Sequence, residues 1–206
     1  MAFVCSKCNS EISSEVYDYS MKKYKEPLCI THQKDYSSNS KNQGLSEKES
    51  ERRYGMIKGR IAEALIEELF LSLGYNVFRY GMENTVPEIR KLLAGVRGDV
   101  ANDIRRMPDF VIQDKNRNVY FVEVKFRREG SFNKYDKSVK NYPYKNCYFI
   151  VVSKKHINCI TYEELRSGQE VSLTSRNYLG DRKEFELDKE VIKEFCEFAV
   201  KFFKEV

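Results

Sequence analysis

Apolar residues recur every three or four positions in two stretches of the 206-residue chain. The first stretch repeats at intervals of four, just ahead of a glycine: Ile57, Ile61, Leu65, Leu69 and Leu73. The second stretch lies near the end of the sequence: Val191, Phe195, Phe198, Ala199 and Phe202. Because a helix brings residues three and four apart onto one face, each stretch predicts an amphipathic helix, and Gly74 ends the first one.

Between these helices, short apolar runs separated by polar turns predict β-strands. Four runs have this character: 75–80, 110–112, 119–126 and 147–152. A polar turn at 113–118 joins the second and third runs and predicts an antiparallel hairpin, and we expect a helix between Ser131 and the fourth strand. The order of helix, three strands, helix and strand predicts an α/β fold.

A polar stretch divides the chain into three parts. Residues 37–50 are almost free of large apolar side chains, which is the composition of a flexible linker. They separate a short segment that contains Cys and His, 1–36, from a main domain, 51–206. Hydrophobic residues make up 41% of the sequence, which is enough to build a core in the main domain.

The sequence predicts a cytoplasmic protein. It contains no run of about 18 apolar residues, so we expect no membrane-spanning helix. The first residues lack a basic region followed by an apolar stretch, which predicts that they are not a secretory signal. Three cysteines lie in apolar surroundings and are expected to be buried free thiols: Cys147, Cys159 and Cys196.

The short first segment contains two pairs of metal-binding residue types. Cys5-x-x-Cys8 and Cys29-x-x-His32 are separated by 20 residues. Thiolate and imidazole are the ligands that zinc prefers, and four of them close a tetrahedral structural site. The alternative is a reduced cysteine pair with a chance histidine, which leaves unexplained how so short a segment folds. The spacing therefore predicts a small zinc module that resembles zinc ribbons and knuckles.

The net charge of +5 is concentrated in one segment of the main domain. Residues 124–145 contain seven Lys or Arg and two acids, so their excess matches that of the whole chain. Aromatic residues are interleaved with the basic ones, and this mixture suits contacts with phosphates and stacking on bases. A solvated surface with ordinary core aromatics is the alternative. The candidate nucleic-acid contacts are Arg127, Arg128, Lys134, Lys137 and Lys140.

The strand predicted at 119–126 carries the candidate chemistry. Since alternate residues of a strand point to the same face, Glu123 and Lys125 share one face and their apolar neighbours share the other. A carboxylate and an ammonium on an otherwise apolar strand are costly unless they have a function. A second acid-x-Lys triplet, Asp181 to Lys183, lies in a turn-like context and is not expected to form a site.

Asp109 follows Pro108 at the start of the preceding strand, so the hairpin should bring it beside Glu123. Direct opposition requires a loop of odd length centred on Asn116. Two carboxylates so close repel each other, and a hard divalent cation between them removes the repulsion. Such a cation can polarise a phosphate oxygen and activate water, while Lys125 stabilises charge on the transition state or helps to deprotonate the water. A turn cap and a surface ion pair are the non-catalytic alternatives.

These motifs resemble those of the PD-(D/E)XK nucleases, which include restriction-like nucleases and archaeal-type Holliday junction resolvases. The matching residues are Pro108-Asp109, Glu123-Val124-Lys125, Gly59-Arg-Ile-Ala-Glu63 and Leu73-Gly74-Tyr75-Asn-Val77. The resemblance covers about residues 55–165 and implies a restriction-endonuclease-like mixed sheet flanked by helices. Residues 83–106 depart from the pattern as a long insert, which either shapes substrate choice or packs as an extra helix.

The resemblance also assigns roles to residues. The catalytic residues that it implies are Glu63, Asp109, Glu123 and Lys125. The Mg²⁺ ligands that it implies are Glu63, Asp109, Glu123 and Val124. Lys58 and Arg60 flank Glu63 on the predicted helix and are further candidate phosphate contacts.

The implied function is a Mg²⁺- or Mn²⁺-dependent enzyme that hydrolyses DNA phosphodiester bonds in repair, recombination, restriction or phage DNA processing. DNA is then the expected partner, a homodimer is compatible with the activity, and the zinc of the first segment is structural. The alternative is a catalytically silent zinc-containing protein that binds nucleic acid or acts as an adaptor on the same fold, because fold alone does not decide between enzyme and binding protein.

Overall fold

A computed structural model describes residues 3–39, 46–81 and 89–205. The chain divides into two compact units, Met1–Arg53 and Tyr54–Val206. The helices are α1 (Ser14–Tyr24), α2 (Ile30–Asn39), α3 (Glu47–Ser72), α4 (Ile89–Leu92), α5 (Asp99–Arg105), α6 (Tyr162–Arg166) and α7 (Lys189–Glu205). The strands are β1 (Phe3–Val4), β2 (Glu11–Ile12), β3 (Asn76–Arg79), β4 (Phe110–Gln113), β5 (Val119–Phe126), β6 (Cys147–Val152) and β7 (Ile157–Thr161).

The first unit is built from a small β-hairpin and two helices. Strands β1 and β2 pair antiparallel, and the ring of Phe3 stacks on Tyr17 of α1 with 4.1 Å between centroids. Ser20 ties α1 to the segment before α2, because its buried hydroxyl donates to the carbonyl of Glu26 and accepts from the amide of Leu28. So few apolar contacts make a small core, and a core of this size ordinarily needs a metal or a cross-link to hold it.

The second unit contains a five-stranded mixed sheet in the order β3-β4-β5-β6-β7. Neighbouring strands are antiparallel except β5 and β6, which are parallel and are joined by residues 127–146, the crossover segment. The β4–β5 hairpin pairs Gln113 with Val119. Inside its loop, the Asp114 carboxylate accepts from the backbone and side-chain amides of Asn118, both at 2.8 Å, which fixes the register. The predicted α/β class is confirmed.

Each face of this sheet has its own core. Helices α3 and α7 cover one face and pack on a cluster that includes Val122 and Val124 of β5. The opposite face holds a smaller cluster in which Phe149 of β6 packs with residues of the crossover segment and α6. Since alternate residues of a strand face opposite sides, Glu123 and Lys125 lie on this second face, as the sequence predicts.

Both predicted amphipathic helices are present with longer bounds. The first, α3, begins at Glu47 and ends at Ser72, and the second, α7, runs from Lys189 to Glu205. Gly74 adopts a φ of 81°, in the left-handed region that favours glycine, and its amide donates to Leu71. This glycine cap ends α3 where the sequence predicts.

The four predicted strands are also confirmed. The observed bounds of β5 and β6 equal the predicted runs 119–126 and 147–152. Strand β3 is shorter than its run and β4 is one residue longer. Strand β7 pairs antiparallel with β6 at the edge of the sheet, and helix α6 follows it. The sequence pattern indicated neither of these two elements.

The prediction of a helix after Ser131 is wrong, because the crossover segment consists of turns. Its polar side chains bond the backbone locally: Asn133 accepts from the amide of Tyr135, and Asp136 accepts from both the amide and the hydroxyl of Ser138. Such side-chain acceptors compete with helical hydrogen bonds for the backbone amides. The segment therefore folds as a chain of turns on the second face of the sheet.

Two further predictions fall partly outside the described residues. The predicted linker 37–50 is helical at both ends, since α2 reaches Asn39 and α3 begins at Glu47, while 40–45 lie outside the described residues. In the insert 83–106, the short helices α4 and α5 are present, and 82–88 lie outside the described residues. Within the described ranges, no helix has both the length and the apolar content that a bilayer crossing needs.

Candidate functional site

The four predicted zinc ligands lie together in the first unit. Cys5 and Cys8 lie on the turn between β1 and β2, while Cys29 and His32 lie at the start of α2. The turn is closed by a 2.9 Å hydrogen bond from the amide of Cys5 to the carbonyl of Ser10. One ligand atom from each of the four residues lies within 4.8 Å of all the others.

Two of the spacings between these atoms equal those of a tetrahedral zinc site, and a third is shorter. The Sγ atoms of Cys8 and Cys29 are 3.8 Å apart, and Nδ1 of His32 lies 3.6 Å from Sγ of Cys5 and 3.2 Å from Sγ of Cys29. Zinc bonds of about 2.3 Å to sulfur and 2.0–2.1 Å to nitrogen separate tetrahedral ligands by about 3.6–3.8 Å. This Cys/His cluster could hold a structural metal such as zinc.

The electrostatics of the cluster favour the metal-binding form of its thiols. Burial raises the pKa of Cys5, but hydrogen bonds from the surrounding backbone, Cys29 first, outweigh it and lower this pKa to about 6. The backbone at His32 lowers the pKa of Cys29. Hydrogen bonds with the sulfur atoms of Cys29 and Cys5 raise the pKa of His32, because they stabilise its protonated ring. Thiolate is the form of cysteine that binds metal, so the lowered pKa values of Cys5 and Cys29 favour the binding of a cation.

In the second unit, the hairpin register brings Asp109 opposite Glu123. Phe110 pairs with Val122, and one further step along the strands reaches these two acids. The loop spans 114–118, so it is odd in length and centred on Asn116, as direct opposition requires. The amide of Tyr80 donates to the carbonyl of Asp109 at 2.9 Å and holds its backbone against β3.

Three contacts connect the two acids with their surroundings. The Lys125 ammonium donates to Oε1 of Glu123 in an ion pair. The buried Tyr142 hydroxyl lies 3.3 Å from Oε2 of Glu123 and donates to it. The amide of Val124 donates to Oδ2 of Asp109 at 2.7 Å. Each carboxylate is therefore held in a fixed position by neighbours on β5 or on the crossover segment.

The charges of this site depend on one another. Burial, together with the neighbouring Glu123 carboxylate, holds the pKa of Asp109 well above its ordinary value, although Lys125 acts in the opposite direction. Burial lowers the pKa of Lys125, but Glu123 and Asp109 outweigh it and the net change is upward. The two acids thus favour the protonated form of Lys125, and burial beside Glu123 disfavours the charged form of Asp109.

These residues line a pocket of about 260 Å³. Its walls combine the two acids and Lys125 with Gly81, which follows β3, and with residues from α5, from the loop after it and from the crossover segment: Arg105, Arg106, Met107, Ser138 and Tyr142. Sequence reasoning missed Tyr142 and Arg106 as neighbours of the acids. Tyr142 lies in the stretch of mixed basic and aromatic residues, 124–145. This composition indicated that the segment is a candidate contact surface, but not that Tyr142 contacts the acids.

Glu63 lies on α3 and is half-buried. Its charge raises the pKa of Asp109, although less than burial and Glu123 do, so it lies within electrostatic reach of the site. Among the described residues, the Cys/His cluster is the one group of three or more His, Cys, Asp or Glu side chains that lie close enough together to hold a metal ion. The structure therefore places Asp109 opposite Glu123, and Glu63 acts on Asp109 electrostatically.

The predicted nucleic-acid contacts divide into two groups. Arg127 bonds Oδ2 of Asp136 at 2.7 Å and Arg128 pairs with Glu129 at 3.7 Å, so both are engaged within the crossover segment. Lys134, Lys137 and Lys140 are exposed on the same segment. On α3, Lys58 is half-buried and Arg60 is exposed.

No protein-family model matches the chain, and no curated protein resembles it closely enough to count as a relative.

Proposed function

We propose that the chain is a metal-dependent nuclease that hydrolyses DNA phosphodiester bonds at the pocket of Asp109, Glu123 and Lys125. The observation that carries the proposal is the opposition of two carboxylates on one sheet face, beside a lysine, in a pocket that opens to solvent. Two buried carboxylates side by side are costly, and a divalent cation bound between them removes their repulsion. The observed mixed sheet with flanking helices supports the proposal, because the PD-(D/E)XK resemblance implies a sheet of this general kind.

The donor set fits a hard divalent cation. Asp109 and Glu123 offer carboxylate oxygens, the carbonyl of Val124 lies between Glu123 and Lys125 on the same strand, and Glu63 adds negative charge nearby. Mg²⁺ and Mn²⁺ prefer such oxygen ligands and usually keep several waters. A bound cation would supply Lewis acidity toward a phosphate oxygen.

The chain's own residues orient the reaction. Tyr142 donates a hydrogen bond to one oxygen of Glu123 and Lys125 donates to the other, so the orientation of this carboxylate is fixed. The Lys125 ammonium can also stabilise negative charge that develops on the phosphate oxygens, because it lies in the same pocket. Arg106 lines the wall beside the acids and can contact a neighbouring phosphate.

We also propose that the first unit binds one structural Zn²⁺ through Cys5, Cys8, Cys29 and His32. Two ligand spacings of tetrahedral length and the thiolate character of Cys5 support this assignment. Four protein ligands leave no open position for water, so this ion would hold the fold of the unit and take no part in hydrolysis.

The test is cleavage of a DNA panel by the purified full chain. Linear duplex, circular duplex, single-stranded and four-way DNA are incubated with Mg²⁺ or Mn²⁺, with RNA as a control. We expect cleavage by the native chain and a loss of at least about 100-fold in the variants Asp109→Ala, Glu123→Ala and Lys125→Ala. Glu129→Gln is the matched control, because Glu129 is an exposed acid on the crossover segment. Full activity in Glu123→Ala, or no cleavage of any DNA by the native chain, would refute the nuclease.

A further inference from the structure

A second pocket of the crossover segment lies outside the candidate active site. Its volume is about 550 Å³, within the range of roughly 300–1,000 Å³ that holds small ligands. Four residues line it, and we call it the basic pocket: Lys134, Tyr135, Lys140 and Arg166. Three of these come from the crossover segment and Arg166 comes from the end of α6.

The cations of the basic pocket are available to a ligand. No carboxylate in the described ranges pairs with Lys134, Lys140 or Arg166, although the chain is rich in acids. Asp136, the nearest acid in sequence to two of them, is already bonded to Arg127. Three cations without acidic partners favour an anion. In a protein that binds nucleic acid, the anion that Lys and Arg contact is phosphate.

Tyr135 adds an aromatic ring to the three cations of the basic pocket. Its side chain is 82% exposed, and Nζ of Lys134 lies 5.4 Å from the centre of its ring. An exposed aromatic ring with a cation over one face matches the two parts of a nucleotide, a base and its phosphate. In a duplex the faces of the bases are covered by their neighbours, so this ring can stack only on an unpaired base or a strand end.

The basic pocket is fixed relative to the candidate active site. Arg106, which lines the active-site pocket, donates to the backbone carbonyl of Lys140. Ser138 and Tyr142 line the active-site pocket from the same segment that supplies Lys140 to the basic pocket. The bonds of Asp136 to Arg127 and Ser138 hold the turns between them. The two pockets are therefore built on one segment of the chain and are linked through Arg106.

We infer that the basic pocket binds one nucleotide of a single-stranded stretch of DNA, with its phosphate on the three cations and its base on Tyr135. The inference rests on the proposed function for the identity of the polymer, and it names the substrate as DNA with an unpaired segment beside the scissile bond. The pocket acts by binding and positioning, and it takes no part in the chemical step.

Binding and cleavage are measured separately, so that the two proposals fail in different ways. The probe is a fluorescein-labelled oligo(dT) of twelve nucleotides, compared with an abasic strand of equal length and a blunt duplex. Fluorescence anisotropy is recorded with the full chain, without Mg²⁺ and without chelator, over a series of salt concentrations. Absence of cleavage in the panel above removes the nuclease and leaves these binding results standing.

Tyr135→Ala should weaken oligo(dT) binding by roughly five-fold or more and leave abasic binding unchanged, because only the base stacks on the ring. Tyr135→Phe should bind as the native chain does. Lys140→Ala should weaken both strands and reduce the slope of log affinity against log salt by about 0.7, since it removes one phosphate contact. The matched controls are Tyr178→Ala and Lys183→Ala, which alter exposed residues elsewhere in the second unit.

Two results would overturn the inference. One is an equal effect of Tyr135→Ala on oligo(dT) and on the abasic strand, which would show that the ring does not meet a base. The other is a native chain that binds the blunt duplex as tightly as oligo(dT). Because Tyr135 is exposed, its substitution leaves the core intact, and Tyr135→Phe separates the loss of the ring from any general effect.

Discussion

The backbone amide of Val124 donates a 2.7 Å hydrogen bond to Oδ2 of Asp109. The carboxylate therefore both faces the candidate active site and satisfies a buried amide of β5. Asp109→Asn keeps an oxygen acceptor and removes a charge beside Glu123, so it should leave the free energy of unfolding unchanged or higher. Asp109→Ala leaves the amide without an acceptor and should cost about 1–3 kcal/mol relative to Asn.

Urea unfolding of the two variants provides the measurement, and both should lose cleavage. Equal stability of Asp109→Ala and Asp109→Asn would show that the bond to Val124 does not contribute to stability. Both substitutions remove the charge that would bind the metal, but only Ala removes the acceptor of the Val124 amide. The comparison therefore separates the structural role of Asp109 from its role at the metal.

Tyr142 positions Glu123, and its hydroxyl has no other role in the proposed reaction. Tyr142→Phe should lower kcat by about 10-fold and leave KM nearly unchanged, since the substrate is still bound while the carboxylate is free to rotate. Steady-state kinetics on the best DNA of the panel measures the split. Tyr144→Phe is the control, because this neighbouring half-buried tyrosine lies outside the lining of the active-site pocket. A rise in KM with constant kcat would contradict a positioning role.

Zinc removal should affect the first unit and spare the second. The purified chain should contain one Zn²⁺, and Cys5→Ser/Cys8→Ser should contain almost none. Since metal binding and folding are coupled within the small unit, chelation should unfold it and leave the main cooperative transition nearly unchanged. Metal analysis and thermal unfolding followed by circular dichroism provide the measurements.

Cys196→Ser is the matched control for zinc, because Cys196 is a free thiol far along the sequence in α7. It should retain the full zinc content. Zinc near zero in the native chain, prepared without chelator, would refute the site. Loss of cleavage on chelation of zinc alone, with the second unit still folded, would show that the boundary between structural and catalytic metal is wrong.

Arg182 should make stability depend on pH. It bonds Oε1 of Glu164 at 2.8 Å and the carbonyl of Cys159 at 2.7 Å, and its side chain is 12% exposed. Burial raises the pKa of Glu164, but the bonds from Arg182 and Thr161 outweigh it, so the net pKa lies below the ordinary value. A carboxylate of this kind stabilises the fold above its unfolded pKa, and this contribution is lost as pH falls through the folded pKa.

Arg182→Ala should therefore lower the free energy of unfolding by roughly 1–3 kcal/mol near neutral pH, because Glu164 loses its cationic partner and the carbonyl of Cys159 loses its donor. The difference from the native chain should narrow below about pH 4.3, where the unfolded carboxylate is protonated. Urea unfolding near neutral pH and near pH 3.5 tests this, with the exposed Arg176→Ala as control. A difference that grows at low pH would contradict the assigned sign.

The sequence was sufficient to predict the parts of the fold that depend on local pattern. Short apolar runs placed β5 and β6, a period-four repeat placed the core of α3, and the Pro-Asp start of β4 with an odd loop placed Asp109 opposite Glu123. The helix expected in the crossover segment does not form. There the side chains of Asn133 and Asp136 bind backbone amides, an effect that periodicity does not include.

The neighbours of the acids could not be predicted for a similar reason. Tyr142 reaches Glu123 only because β5 and β6 are parallel and the chain returns across the second face of the sheet. A local sequence pattern predicts neither the strand pairing nor the path of the crossover segment. Arg106 and Ser138 enter the pocket in the same way, through tertiary structure.

The parallel pairing of β5 with β6 also sets an order of assembly. The β4–β5 and β6–β7 hairpins join strands that are close in sequence, whereas β5 and β6 can pair only after the long crossover segment has closed. Contacts between distant residues form late, because loop closure must precede them. A growing chain that ends at β5 therefore holds Asp109 and Glu123 but not Tyr142 or the basic pocket. We expect such an unfinished chain to leave DNA intact, so that reactivity arises only with the completed sheet.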